Sequence, residues 1–504
     1  MLKFAPIFTD HAVLQREKPV RIFGCCQDGN RVTLHLGDIT AVSNPAVNGR
    51  WEITLAPLPA GGPHTISITD GTERCEISDI MIGEVWLCGG QSNMELNLKD
   101  ASGARAALET CADSNVRLYH VCKRGFMDAQ FYREEADSCW NLPSAESCPY
   151  WSAVGYFYAR ELAQRLGVTV GLVNCNYGGT SASAWMSREM LAETEIGRAY
   201  LADYEKGTAG LTDEEANRAY DAYLEYYAAW QERAAQCYAE NPKIGWAQVL
   251  ERCGENRYPG PHAPKNPMRP HGLYDTMISR ITPYTLRGVL YYQGETDECR
   301  AEGYYTLLCS LIRQWREDFR DEELPFLLMQ LPVYGVEDAP DRTDWCILRE
   351  AQERVLRNVK HTGLAVILDQ GEWEEIHPKE KAIPAHRLYL QALCQVYGLQ
   401  TEDTTAPMLR YALPEDGGIR VYLDHAQCGL ESRGEGGFEL CGTDGIWHPA
   451  KAELNGDTIL IHSENVPHPA AARYGWRNYL PVTVFAKNGL PLAPFRTSRG
   501  TPSP

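Results

Sequence analysis

Met81-Ile82-Gly83-Glu84-Val85-Trp86-Leu87-Cys88-Gly89-Gly90-Gln91-Ser92-Asn93-Met94 decides the fold. Met81–Cys88 is a largely apolar run of strand length, it stops in Gly89-Gly90, and a serine stands just beyond. An apolar run bounded by turn residues reads as a strand buried on both faces. The pattern returns at Val168–Asn174, Arg287–Tyr292, Leu324–Leu331 and Thr362–Leu368. Helical segments fall between these runs, around Ala104–Thr110, Gly155–Leu166, Tyr304–Phe319 and Trp345–Val359. Buried strands alternating with helices predict an α/β domain with a parallel sheet covered on both faces, over residues 81–402.

On either side the rhythm changes. Residues 1–80 carry short Val-, Ile- and Thr-rich segments (Val20–Phe23, Arg31–Leu36, Trp51–Leu55, His64–Thr69) separated by turns such as Asn48-Gly49. That is the pattern of a β-sandwich or jelly-roll module. A second β-rich module is expected over 403–504, with strands at Gly418–Leu423, Phe438–Leu440 and Thr458–His462 and a frayed tail from Arg496. Residues 195–250 interrupt the central domain. Thr212 and Glu215 form a capping box, and Tyr220, Tyr223, Tyr227 and Trp230 recur at helical spacing. This is a helical insertion beside the cleft, and its aromatic stripe reads as packing.

Composition bounds the function. The chain has 504 residues, about three domains' worth, with 44% hydrophobic and 23% charged residues, ordinary for a globular protein. A net charge of −19 repels polyphosphate and anionic lipid, which disfavours nucleic acid and membrane surfaces as partners. No secretory leader opens the chain and no window approaches a membrane span, so a cytoplasmic location is expected. The 17 cysteines show no CxxC pair and read as reduced, mostly buried thiols. Zincin, Walker A and Cys/His metal spacings are absent.

Four loops at strand ends carry the polar residues that chemistry needs. Ser92, ahead of a helix, can serve as a nucleophile with its own N–H aimed at the same point, or simply as a helix cap. Tyr177-Gly178-Gly179-Thr180 lets a backbone N–H approach a substrate oxygen, if it is more than a turn. Gln293, in Tyr291-Tyr292-Gln293-Gly294-Glu295-Thr296-Asp297, can donate to an oxyanion. His377, in Asp369-Gln370-Gly371-Glu372-Trp373-Glu374-Glu375-Ile376-His377-Pro378, can act as general base. Each signal is weak alone; together they assemble what acyl transfer requires.

At these residues the chain resembles the sialate O-acetylesterase family of the SGNH-hydrolase superfamily, nearly end to end. Gly-Gln-Ser-Asn-Met around Ser92, Gly-Gly-Thr at Gly178-Gly179-Thr180, Tyr292-Gln293-Gly294-Glu295, and Ile376-His377-Pro378 with Lys381 carry the likeness. The resemblance implies a three-layer, flavodoxin-like catalytic domain acting on acetyl esters of sugars, sialic acids or xylo- and manno-oligosaccharides. It implies no metal or cofactor. It makes Ser92 the nucleophile and His377 the base, with the Ser92 amide, Gly179 and Gln293 holding the oxyanion. The superfamily's acid stands three residues before the histidine, which here is Glu374; Glu375, Asp369 or a backbone carbonyl are alternatives. Glu295 is expected to order its loop or meet substrate. Oligomeric state is left open.

Two rival readings stand beside this one. Glu295 paired with Glu372 or Glu374 would make a glycoside hydrolase, which leaves Ser92 and Gln293 without a task. A non-catalytic sugar-binding protein would suit the β modules and 12 tryptophans but needs neither Ser92 nor His377.

Overall fold

The structure, a computed structural model, describes residues 1–241, 244–336, 342–399, 404–415 and 417–498. Its central sheet contains β1 (Arg74–Gly90), β2 (Val116–His120), β3 (Val170–Asn176), β4 (Gly288–Tyr292), β5 (Phe326–Met329) and β6 (Thr362–Ala365). In space these run β2-β3-β1-β4-β5-β6, all parallel, with Trp140–Asn141 antiparallel beside β2 at the edge. The five expected strands are present. β2 adds a sixth that its mixed sequence, Val-Arg-Leu-Tyr-His, concealed.

The helices that bear on the site are α1 (Ser92–Glu95), α2 (Ala153–Leu166), α3 (Asp213–Glu240), α4 (Ala301–Asp318), α5 (Asp344–Asn358) and α6 (Ala382–Gln395). α2 packs on α6, and α4 on α5. The register Gly288↔Trp86 and Tyr291↔Gly89 puts Trp86 and Tyr291 on opposite faces of the sheet, since side chains alternate along a strand. Trp86 meets Tyr158 of α2 at 5.3 Å, and Tyr291 meets Trp315 of α4 at 5.9 Å. Helices therefore cover both faces, which is why β3, β4, β5 and β6 are buried at every residue.

The boundary expected at residue 80 falls inside β1. The first half of that strand pairs with Gly61–Thr69 and its middle with Val13–Gln15, and the second half is the centre of the parallel sheet. The amino-terminal β strands and the parallel sheet thus share one continuous strand rather than a linker. The carboxy-terminal β region holds two four-stranded sheets and a two-stranded pair between Met408 and Arg496. Its expected start at 403, and 499–504 of the expected tail, lie outside the described residues. One continuous hydrophobic core joins both flanking β regions to the central sheet.

The insertion is helical: Glu195–Thr208, α3 and Trp246–Cys253. α3 opens in the capping box, Thr212 N–H donating to Glu215 Oε2 at 2.8 Å and Glu215 N–H to Thr212 Oγ1 at 3.2 Å. Tyr220, Tyr223, Tyr227 and Trp230 form a ladder of rings 5.5–6.1 Å apart. Tyr220, Tyr223 and Trp230 are buried, so the stripe is packing.

Candidate active site

Chain order departs to opposite sides of β1, with β3 on one flank and β4 on the other. β1 is thus the topological switch point, where the carboxyl ends of strands leave a crevice. Gly90 is left-handed at φ 132°, and a Cβ there would lie 2.1 Å from the Tyr292 carbonyl oxygen, so only glycine lets β1 end against β4. Gln91 N–H donates to Tyr292 O at 3.0 Å and Tyr177 N–H to Gly90 O at 3.1 Å, which stitches this end between its neighbours. Gln91 takes the cap position of α1, and Ser92 is its first residue, half-buried. The cap reading of Ser92 therefore fails, and its hydroxyl is left for another partner.

That partner is His377. Its Nε2 lies 2.8 Å from Ser92 Oγ, although 285 residues separate the two in sequence. Burial, with Lys381 nearby, lowers the imidazole pKa from its ordinary value, against the opposing pull of Glu375 and Glu95. A neutral imidazole at physiological pH is what a general base must be.

The expected acid, Glu374, does not reach the histidine. Its backbone turns left-handed (φ 61°), its N–H donates to Gly335 O at 3.0 Å, and its side chain stands in solvent. The turn brings Glu375 round instead. Glu375 Oε1 accepts the His377 backbone N–H at 2.8 Å and lies 3.9 Å from Nδ1. Asp369 is held by Arg387, Oδ1 at 2.5 Å and Oδ2 at 2.8 Å.

Asn93, next to the serine, ties three elements together. Its Nδ2 donates to Glu295 Oε1 at 2.7 Å and to the Ile376 carbonyl at 2.9 Å, while Lys381 Nζ donates to its Oδ1 at 2.7 Å. Glu295 is buried, and burial raises its pKa. Lys381 is pushed down to about 8, by burial first, with Glu295 and Glu375 opposing. Glu295 is therefore tied to Asn93 beneath the surface rather than open to solvent. The glycosidase pairing fails with it, because one carboxylate is sealed while Glu372 and Glu374 are exposed.

Gln293 is likewise spent. It is fully buried, its Nε2 donates to Thr180 O at 3.1 Å and to Asp297 Oδ2 at 2.5 Å, and its Oε1 accepts from Tyr304 Oη at 2.9 Å. Both amide hydrogens have acceptors, so none is left for an oxyanion. Asp297, which the sequence reading passed over, also accepts from Ser181 Oγ (2.7 Å), Ala182 N–H (3.0 Å) and Tyr200 Oη (2.6 Å). It holds the Gly-Gly-Thr-Ser turn in place. Gly178 N–H donates to Glu95 Oε2 at 2.5 Å, and Lys123 braces Glu95 from the other side at 2.9 Å. Gly179, left-handed at φ 72°, makes no hydrogen bond through its N–H among the described residues and is an open donor in this turn.

Among the described residues no cluster of three His, Cys, Asp or Glu side chains could hold a metal ion. Residues 263–380, which include Gln293, Glu295 and His377, match the family described as carbohydrate esterase, sialic acid-specific acetylesterase. Over 98% of this chain and 94% of the relative, the sequence is 26% identical to a sialate O-acetylesterase of Mus musculus. The corresponding figures for the Homo sapiens sialate O-acetylesterase are 95%, 88% and 24%. A crystal structure of a carbohydrate acetylesterase from Xanthomonas citri aligns with a TM-score of 0.77 at 28% identity, covering 98% of this chain and 99% of that one. Fold and relatives together define an α/β esterase. In sequence and fold the chain is similar to the sialate O-acetylesterases and to carbohydrate esterases.

Proposed function

We propose that the chain removes acetyl groups from O-acetylated sugars by way of an acetyl-enzyme on Ser92, on a catalytic domain of the three-layer SGNH type. The 2.8 Å approach of Ser92 Oγ to His377 Nε2 at the switch point carries this reading. Ser92 Oγ attacks the acetyl carbonyl as its proton passes to His377 Nε2. The oxyanion is held by the N–H groups of Ser92, in the first turn of α1, and of Gly179. The imidazolium returns the proton to the departing sugar oxygen as the C–O bond breaks. Water, deprotonated by the same imidazole, then releases acetate. Glu375 steadies the ring, replacing Glu374 in that part. Xylo-, manno- and sialo-saccharides are the substrate classes, and the flanking β regions are supporting modules.

The test is acetate release from 4-nitrophenyl acetate and from acetylated xylo-, manno- and sialo-saccharides, comparing wild type with Ser92→Ala. Turnover of at least one sugar acetate, lost in the variant, is expected. An inert wild type, or a variant as active as wild type, sinks the reading.

A further inference from the structure

Resting on that acetylesterase reading, we propose that Tyr258, on the loop that follows the helical insertion, grips the sugar of the bound ester through its phenolic hydroxyl and sets the preference for sugar acetates over simple aryl acetates. A Cβ built on Gly179 would lie 1.5 Å from Tyr258 Oη, so the hydroxyl sits directly on the turn that offers the oxyanion N–H. On Gly178 a Cβ would lie 3.5 Å from Ser92 Cβ. Serine and phenol therefore flank the same two-glycine turn, one on each residue. An ester seated between Ser92 and the Gly179 N–H has its acetyl carbon at the serine, and its sugar oxygen projects into the space beside Tyr258.

The phenol is held there and is chemically free. Its ring meets Tyr227 at 5.9 Å, and Tyr227 is stacked between Tyr223 at 5.5 Å and Trp230 at 6.1 Å. The aromatic ladder of α3 thus fixes a ring that is itself 42% exposed. Tyr258 N–H is satisfied by Asn256 Oδ1 at 3.0 Å, whereas the hydroxyl makes no hydrogen bond among the described residues. Burial raises the pKa of this phenol above that of an ordinary tyrosine, with Tyr227, Tyr223, Tyr177 and Glu95 acting in the same direction, so it stays protonated and can donate. Sugars present hydroxyl oxygens next to the acylated position; the leaving group of 4-nitrophenyl acetate presents none.

The test compares wild type, Tyr258→Phe and Tyr258→Ala on 4-nitrophenyl acetate, a monoacetylated methyl xyloside and an O-acetylated sialic acid. The readout is the ratio of kcat/KM on the preferred sugar acetate to kcat/KM on the aryl ester, with thermal midpoints measured alongside. Losing one hydrogen bond to a sugar hydroxyl lowers that ratio about 10-fold in Tyr258→Phe, and Tyr258→Ala, which also loses the ring, lowers it further. Ratios within about twofold of wild type in both variants overturn the proposal, whether or not both rates fall together. A wild type that releases acetate from the aryl ester but from neither sugar defeats this proposal and the acetylesterase reading on which it rests.

Discussion

Two groups of polar side chains lie side by side at the carboxyl end of the sheet and are bonded in opposite ways. Ser92 and His377 are half-exposed, and their side chains share one short hydrogen bond. Gln293 and Asp297 are sealed, and Asp297 alone accepts from Ser181, Ala182, Tyr200 and Gln293. A group that must form and break bonds during turnover cannot be saturated beforehand, whereas a group that fixes a loop must be. On the proposed mechanism the contrast separates the reacting pair from the residues that hold the frame, even though Ser92, Gln293 and His377 all sit in the sequence blocks that carry the family likeness.

Substitutions should divide along that line. Ser92→Ala and His377→Ala should each cut kcat by about 10⁴-fold or more while leaving the thermal midpoint near that of wild type. A large drop in midpoint for either would move that residue to the framework side. Asp297→Ala should do the reverse first: it removes the shared acceptor of Ser181, Ala182, Tyr200 and Gln293, so a loss of about 3 kcal/mol is expected in urea unfolding. A loss below about 1 kcal/mol would mean water or rearrangement satisfies those donors. Gln293→Ala discriminates most sharply. A direct oxyanion donor costs about 100–1000-fold in rate when removed. With both hydrogens bound to Thr180 and Asp297, the expected result is instead about 1–3 kcal/mol of stability and less than about 10-fold in kcat for the folded variant.

The comparison also marks where sequence reading stops. The central strands were legible because burial on both faces writes itself as an apolar run. β2 was not, because Arg117 and His120 are only partly buried at the sheet's outer side. The capping box and aromatic stripe made α3 legible from local rules alone. Ser92 and His377 stood out because a serine past a glycine turn and a histidine in an acidic loop are residues chemistry uses. Sequence cannot reveal, however, which of several adjacent carboxylates a loop will aim. Glu374 lost that place to Glu375 through one left-handed residue. Nor does sequence distinguish an amide open to substrate from one already bound beneath it: Gln293 and Glu295 owe their status to partners in other loops, Thr180 and Asn93.

The smallest effect expected bears on how open the reactive pair is. His377 acts as base only when neutral, so kcat/KM should fall in acid as the imidazole protonates. Because burial lowers its pKa, that limb should lie below the ordinary histidine value of about 6.5. Glu375 favours the charged ring and opposes the shift, so Glu375→Gln should move the limb to still lower pH while reducing the plateau rate. Lys381 disfavours the charged ring, so Lys381→Met should move the limb upward. Glu375 and His377 are 45% and 44% exposed, and water screens their pairing, which keeps the Glu375→Gln displacement below about one pH unit. A limb that stays fixed in both variants would leave Glu375 as a backbone brace for the His377 N–H, on the framework side of the comparison.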